Sequence, residues 1–124
     1  MTISVGDRLP EAELLTLGPD GRPQAVALAD RLKGRKVALF GLPGAYTGTC
    51  TTAHVPSFIR NMDALKDKGV DEVICLSVND PFVMGAWGES TGANDAGITM
   101  LGDPECKLTE AMGLRFDAPP VGLI

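Results

Sequence analysis

Three cysteines and a single histidine carry most of the reactive side-chain chemistry in this sequence: Cys50, Cys75, Cys106 and His54. Cys50 is set apart by its surroundings. It follows the run Gly41–Thr49, GLPGAYTGT, in which Pro43, Gly44 and Gly48 bend the backbone, and it falls near the first turn of the next helix. The first N–H groups of a helix have no partners inside it and point at whatever sits at that end. The helix dipole adds a partial positive charge there. Together they favour an anion, and thiolate is the anionic, nucleophilic form of cysteine. The bland fate of a free cysteine is a small buried hydrophobe. The residues alone leave both readings of Cys50 open.

Thr47 lies three residues before Cys50, so its hydroxyl could reach the sulfur or simply satisfy turn backbone. His54 follows Cys50 by one helical turn. A Cys–His pair would suit a cysteine hydrolase or an acyl transferase, yet no group that would orient the imidazole is evident. Cys75 sits in the apolar run Val73-Ile74-Cys75-Leu76 and reads as a core thiol, whereas Cys106, just after Asp103-Pro104, reads as an incidental residue near the surface. No cysteine pair has C-x-x-C spacing, which speaks against a zinc site. The glycine-rich run Gly41–Gly48 lacks the lysine and spacing of a phosphate loop. The carboxylates are scattered, and no acid/base pair suggests itself.

Elements to position these residues can be read along the chain. Leu14–Leu17 and Ala25–Leu28 flank Gly18-Pro19-Asp20-Gly21, the turn chemistry of a hairpin. Ala29–Lys33 predicts a short helix stopped by Gly34. Lys36–Leu42 is short, apolar and bounded by polar flanks, as a buried strand would be. A long helix is expected from about Cys50 to Lys68, because Val55, Phe58, Ile59, Met62 and Leu65 recur at helical spacing. Pro56 predicts a kink or a broken first turn in it.

Asp71–Val78 is a second strand, and strand–helix–strand order implies a right-handed crossover with parallel pairing. Asp80-Pro81 is a cap-plus-proline helix start, and that helix carries Phe82 and Trp87 before fading at Ser90-Thr91-Gly92. Aromatics at such spacing are usually core. Ile98–Leu101 is a third strand. Asp103-Pro104 repeats the helix-start signal for a short helix closed by Gly113, and Phe116–Ile124 reads as a loop.

With 124 residues and 44% apolar content, the chain predicts one globular domain, residues 1–124, with its own hydrophobic core. The net charge is −5 and no basic run occurs, so neither nucleic acid nor an anionic membrane surface is an expected partner. There is no charged-then-apolar leader and no apolar stretch long enough to span a bilayer. A cytoplasmic protein is the expectation. The cysteines do not suit an extracellular disulfide scaffold. Alternating strands and helices predict an α/β domain.

Pro43, Thr47 and Cys50 form the pattern P-x-x-x-T-x-x-C, which resembles the active-site motif of the peroxiredoxins. The longer strings PGAYTGTCTTAHVPSF (43–58) and CLSVNDPFVMGAWGES (75–90) resemble the type II, or atypical two-cysteine, group. The resemblance runs from Val5 to Ile124. It implies a thioredoxin-like fold with a central mixed sheet and flanking helices. It also implies a thiol-dependent peroxidase that acts on hydrogen peroxide and alkyl hydroperoxides without metal, haem or flavin. Cys50 would be the peroxidatic cysteine, cycling from thiolate to sulfenic acid. Thr47 would hydrogen-bond the peroxide, Pro43 would shape the turn and shield the sulfur, and the backbone N–H groups of Thr49 and Cys50 would face the peroxide oxygens.

His54 matches a histidine at the same spacing in type II members and is expected to support the site structurally. Cys75 gains a candidate resolving role, because some members carry a cysteine there, although a disulfide needs Cα atoms within roughly 7 Å. The helix start bearing Phe82 and Trp87 would lie near the site's mouth and a homodimer interface. Glutathione with glutaredoxin, or thioredoxin, would be the reductant. The family's active-site arginine comes just after the stretch matching Val121–Ile124, so the domain is read as C-terminally incomplete, with an unpaired sheet edge. Arg115 lies upstream of that place and is not given the role. Two further readings stand beside the peroxidase: a non-catalytic thioredoxin-fold binding or chaperone-like module, and the Cys–His acyl transferase or hydrolase.

Overall fold

Consecutive apolar residues make the centre of the sheet, which is buried on both faces. The computed structural model describes residues 2–123, so Ile124, the last residue of the expected C-terminal loop, lies outside the described residues. Strand β1 (Glu13–Leu17) and strand β2 (Pro23–Ala27) form the expected antiparallel hairpin. Its turn closes with Gly21 N–H donating to Gly18 C=O at 3.0 Å, and Gly21 takes φ +77°. Helix α1 (Leu28–Leu32) follows at once, and then strand β3 (Val37–Gly41). Strand β4 (Glu72–Ser77) and strand β5 (Thr99–Gly102) complete a five-stranded mixed sheet in the order β2-β1-β5-β4-β3. β3, β4 and β5 run parallel, and β1 lies antiparallel to β5.

β4 shows how the sequence fills both faces. Val73 and Cys75 belong to one apolar cluster, with Phe40, Cys50, Val55, Met84, Trp87 and Met100, while Ile74 and Leu76 belong to the other, with Leu14, Leu28, Leu101 and Leu108. This is the period-two alternation of a strand covered on both sides. β3 pairs only with β4 among the described residues, and Val37, Ala38 and Leu39 on it are half-buried.

The helix after the Gly41–Thr49 turn is not the single rod that its periodicity predicts. Cys50–His54 is one π-helical turn, followed by helix α2 (Val55–Arg60) and helix α3 (Met62–Asp67). The first departure is the expected effect of Pro56, which has no N–H to give. The turn widens, so that Val55 N–H donates to Cys50 C=O, five residues back. The second, at Asn61, corrects the expectation of a continuous helix. Asn61 Nδ2 donates to Ser57 C=O at 2.7 Å and takes the acceptor an α-helix would use, so Asn61 N–H turns to Phe58 C=O at 3.1 Å. Its φ of −105° and ψ of 9° mark the break.

Helix α4 (Pro81–Thr91) starts as predicted: Asp80 accepts from Val83 N–H at 2.9 Å, and Gly92 ends it at φ +83°. A four-residue helix, α5 (Ala93–Ala96), fits between Gly92 and Gly97 and was too short to leave a periodic signal. Helix α6 (Lys107–Ala111) begins later than Asp103-Pro104 predicts. Asp103 is buried and its carboxylate reaches forward, accepting from Thr109 N–H and Thr109 Oγ1, each at 2.8 Å. Cys106 is therefore turned inward at φ +62° and buried, which corrects its reading as an incidental surface residue. The expected C-terminal loop contains a 3-10 turn at Pro119–Val121 and a bridge between Ala118 and Leu123. Among the described residues no helix is long and apolar enough to cross a membrane.

Candidate active site

β3 ends at Gly41, and the chain turns through Leu42–Thr47 before coiling again at Gly48. The first helical hydrogen bond runs from Thr51 N–H to Thr47 C=O at 3.1 Å. The N–H groups of Thr49 and Cys50 therefore fall in the turn whose donors have no partner within the helix. Cys50 is 8% exposed, with its side chain among Phe40, Val55, Trp87 and Cys75. Its thiol is free, as are those of Cys75 and Cys106. The arrangement puts one sulfur at a dipole-positive end, inside an apolar pocket that admits little water.

Thr47 resolves between its two readings in an informative way. Its hydroxyl donates to Gly44 C=O at 2.7 Å, which is the turn-satisfying role. That bond uses the only hydroxyl proton, so the lone pairs of Oγ1 remain as acceptors. Pro43 lies exposed at the bend and lines an apolar cavity of about 370 Å³ with Leu42, Leu76, Val78, Met112 and Phe116. Tyr46, at φ +63°, is exposed, and its ring centroid is 6.4 Å from that of Trp87.

Trp87 is fully buried and Phe82 is exposed, which separates two residues the sequence placed together. The Trp87 indole N–H donates to Thr51 Oγ1 at 3.1 Å and ties α4 directly to the turn that carries Cys50. His54 packs on Phe40, with centroids 5.1 Å apart, and on Phe58 at 5.8 Å. Phe40 and Phe58 stack at 3.9 Å. Among the described residues the imidazole has no hydrogen-bond partner, so nothing orients it as a base for Cys50. Arg115 is engaged by Glu110 and Asp117.

Cys75 lies on the same face of the sheet as Cys50, in register with Phe40 of β3 and Met100 of β5. Burial first, and then the Cys50 charge, push its thiol up to about 12. Burial also pushes the Cys106 thiol up. No group of three or more His, Cys, Asp or Glu able to hold a metal occurs among the described residues. Sequence reasoning missed Asn79, whose side chain reaches the Gly44–Ala45 backbone. Its only signal was a polar residue between the end of a buried strand and a helix cap.

Comparison with known proteins agrees with this geometry. The Redoxin family profile matches residues 4–121. Peroxiredoxin-2E-2, chloroplastic, of Oryza sativa subsp. japonica is 47% identical over 125 residues, covering 98% of this chain and 56% of that protein. Peroxiredoxin-2D of Arabidopsis thaliana is 42% identical over 121 residues, covering 98% of this chain and 74% of that protein. The chain belongs to the peroxiredoxin family. Its relatives place it in the type II group, and it spans about half to three-quarters of their length. The fold agrees as well: reduced Prx3 from Vibrio vulnificus, in complex with hydrogen peroxide, superposes with a TM-score of 0.89 at 43% identity over 94% of this chain and 72% of the other. This peroxiredoxin thus has the thioredoxin-like architecture expected of it, a mixed sheet with helices on both faces.

Proposed function

We propose that this chain carries the thiol-dependent peroxidase chemistry of its family, with Cys50 as the attacking residue. The observation that carries the proposal is the combination at one helix start: an enclosed sulfur, N–H groups of Thr49 and Cys50 without a partner among the described residues, and a threonine oxygen whose own proton is already committed. The Cys50 thiolate attacks one oxygen of a hydroperoxide. The S–O bond forms, the O–O bond breaks, and the leaving oxygen takes a proton and departs as water or an alcohol. Sulfur is oxidised to the sulfenic acid. The N–H donors stabilise charge on the oxygens as the O–O bond lengthens. Thr47 accepts from the peroxide O–H, and Pro43 keeps water from the sulfur.

The substrates are hydrogen peroxide and small alkyl hydroperoxides. External thiol, from glutathione with glutaredoxin or from thioredoxin, returns the sulfenic acid to the thiol. Cys75 does not serve as the resolving residue in this reading, because its side chain is fully buried and its thiol is held protonated. Tyr46 and Phe82 offer exposed aromatic surface that suits a homodimer contact. Three free cysteines suit a reducing compartment, and the cytoplasm is the one we propose. In the test, Cys50→Ser removes hydroperoxide consumption with dithiothreitol as reductant, while Cys75→Ala and Cys106→Ala retain it. Retained consumption in Cys50→Ser would overturn the proposal.

A further inference from the structure

Asn79 lies between the end of β4 and Asp80, the cap of α4. Its Oδ1 accepts two hydrogen bonds, one from Ala45 N–H at 2.8 Å and one from the Ser77 hydroxyl at 2.7 Å. The Ala45 N–H and the Gly44 C=O belong to one planar peptide group. The carbonyl end of that group accepts the Thr47 hydroxyl at 2.7 Å. One rigid unit is thus gripped at both ends, by Asn79 on one side and by Thr47 on the other. A peptide whose N–H is donated also accepts more strongly at its C=O, since hydrogen bonds in a chain polarise one another.

Asn79 is itself well anchored. Ser77 is buried. A Cβ on Gly102 would come within 2.4 Å of the Asn79 carbonyl oxygen, so the sheet presses against the Asn79 backbone. Asp80, the next residue, is fixed by its capping bond to Val83 at 2.9 Å.

We propose that Asn79 is a positioning residue for the peroxide-binding threonine. It holds the Gly44–Ala45 peptide so that the Thr47 hydroxyl always donates to Gly44 and always presents its lone pairs to a hydroperoxide at Cys50. Without Asn79 the peptide tilts, the hydroxyl rotates among several partners, and the acceptor for the peroxide O–H is present only part of the time. The kinetic consequence rests on the peroxidase reading, whereas the fixed Thr47 rotamer does not.

The experiment uses Asn79→Ala, Thr47→Val, the double variant, and Ser77→Ala as a milder loosening of the same network. Three-bond NMR couplings report the Thr47 side-chain rotamer. Stopped-flow oxidation of Cys50 by hydrogen peroxide is compared with its alkylation by iodoacetamide, which needs the sulfur but not the threonine acceptor. In Asn79→Ala the Thr47 couplings become averaged. Its peroxide rate falls about three- to tenfold, the worth of one neutral hydrogen bond, and alkylation is unchanged. The double variant is no slower than Thr47→Val, and Ser77→Ala shifts the same readouts less. The inference is overturned by a single Thr47 rotamer in Asn79→Ala, by losses that multiply in the double variant, or by alkylation slowing in step with peroxide. If the unsubstituted chain leaves peroxide intact, the peroxidase reading fails, and the Thr47 rotamer alone decides for or against Asn79.

Discussion

Alkaline pH should weaken this fold, most of all through the Cys75 thiol. Cys75 is 0% exposed, and burial, followed by the influence of Cys50, raises it from an ordinary 9.0 to about 12. A raised folded-state value means that the native protein keeps a proton which the unfolded chain surrenders. The contribution to stability is fully present below the unfolded value and is lost as pH rises from there towards the folded value. Within that window each pH unit costs about 1.4 kcal/mol, so the loss between about pH 8 and about pH 10 is about 1.4 kcal/mol.

Urea unfolding of the wild type and of Cys75→Ala at both pH values isolates the effect. The alanine variant has its own cavity cost, but that cost does not titrate. Every other side chain is common to both proteins, so its effect cancels in the comparison. The wild type should lose about 1.4 kcal/mol more than the variant. Equal losses would refute the reasoning, because they would mean that burial in β4 does not suppress ionisation of this thiol.

Glu72 ties three elements together, accepting from Arg31 Nε and Nη2 at 2.9 and 2.6 Å, from Arg35 Nη1 at 2.9 Å and from the Thr99 hydroxyl. Burial acts to raise its carboxyl, but the Arg31 and Thr99 hydrogen bonds and the two arginine charges outweigh it and hold the group below its ordinary 4.5. Its contribution is therefore present at neutral pH and is lost as pH falls below about 4.5 through the depressed folded value. Glu72→Gln should cost about 2 kcal/mol in neutral urea unfolding, with the arginines' partial exposure keeping it below a fully buried pair. It should also flatten the acid limb, and an unchanged acid limb would count against this assignment. Trp87→Phe should lower stability by about 1–2 kcal/mol through the indole bond to Thr51, and by clearly less in a Thr51→Val background; equal losses in both backgrounds would contradict the link. Gly102→Ala should cost about 2 kcal/mol in thermal unfolding, since its Cβ meets backbone rather than a movable side chain, and a neutral outcome would show that the β4–α4 junction yields.

The parts of this fold that local chemistry decides were legible in the sequence. Asp80-Pro81 announced α4, Gly18–Gly21 announced the hairpin, and the continuous apolar run Val73–Leu76 announced β4 as a buried strand. Cys50 at a helix start was legible for the same reason, because the turn residues before it and the periodic residues after it are contiguous. What failed depended on competition or on distance. Asn61 breaks the long helix because its own side chain outcompetes the backbone for Ser57, and helical periodicity does not register that contest. Asp103 looked like a second Asp80, but it reaches forward to Thr109 and draws Cys106 inside. Asn79 looked like turn punctuation; its contact with Ala45 spans strands and turns that no local window contains.

The most direct test of the account is mass spectrometry of the intact chain and its peptides after one equivalent of hydrogen peroxide, with a sulfenic-acid trap present. Trapped sulfenic acid is expected at Cys50, with Cys75 and Cys106 kept as thiols because burial raises both above the ordinary thiol value. Oxidation spread evenly over the three cysteines, or none at Cys50, would contradict it.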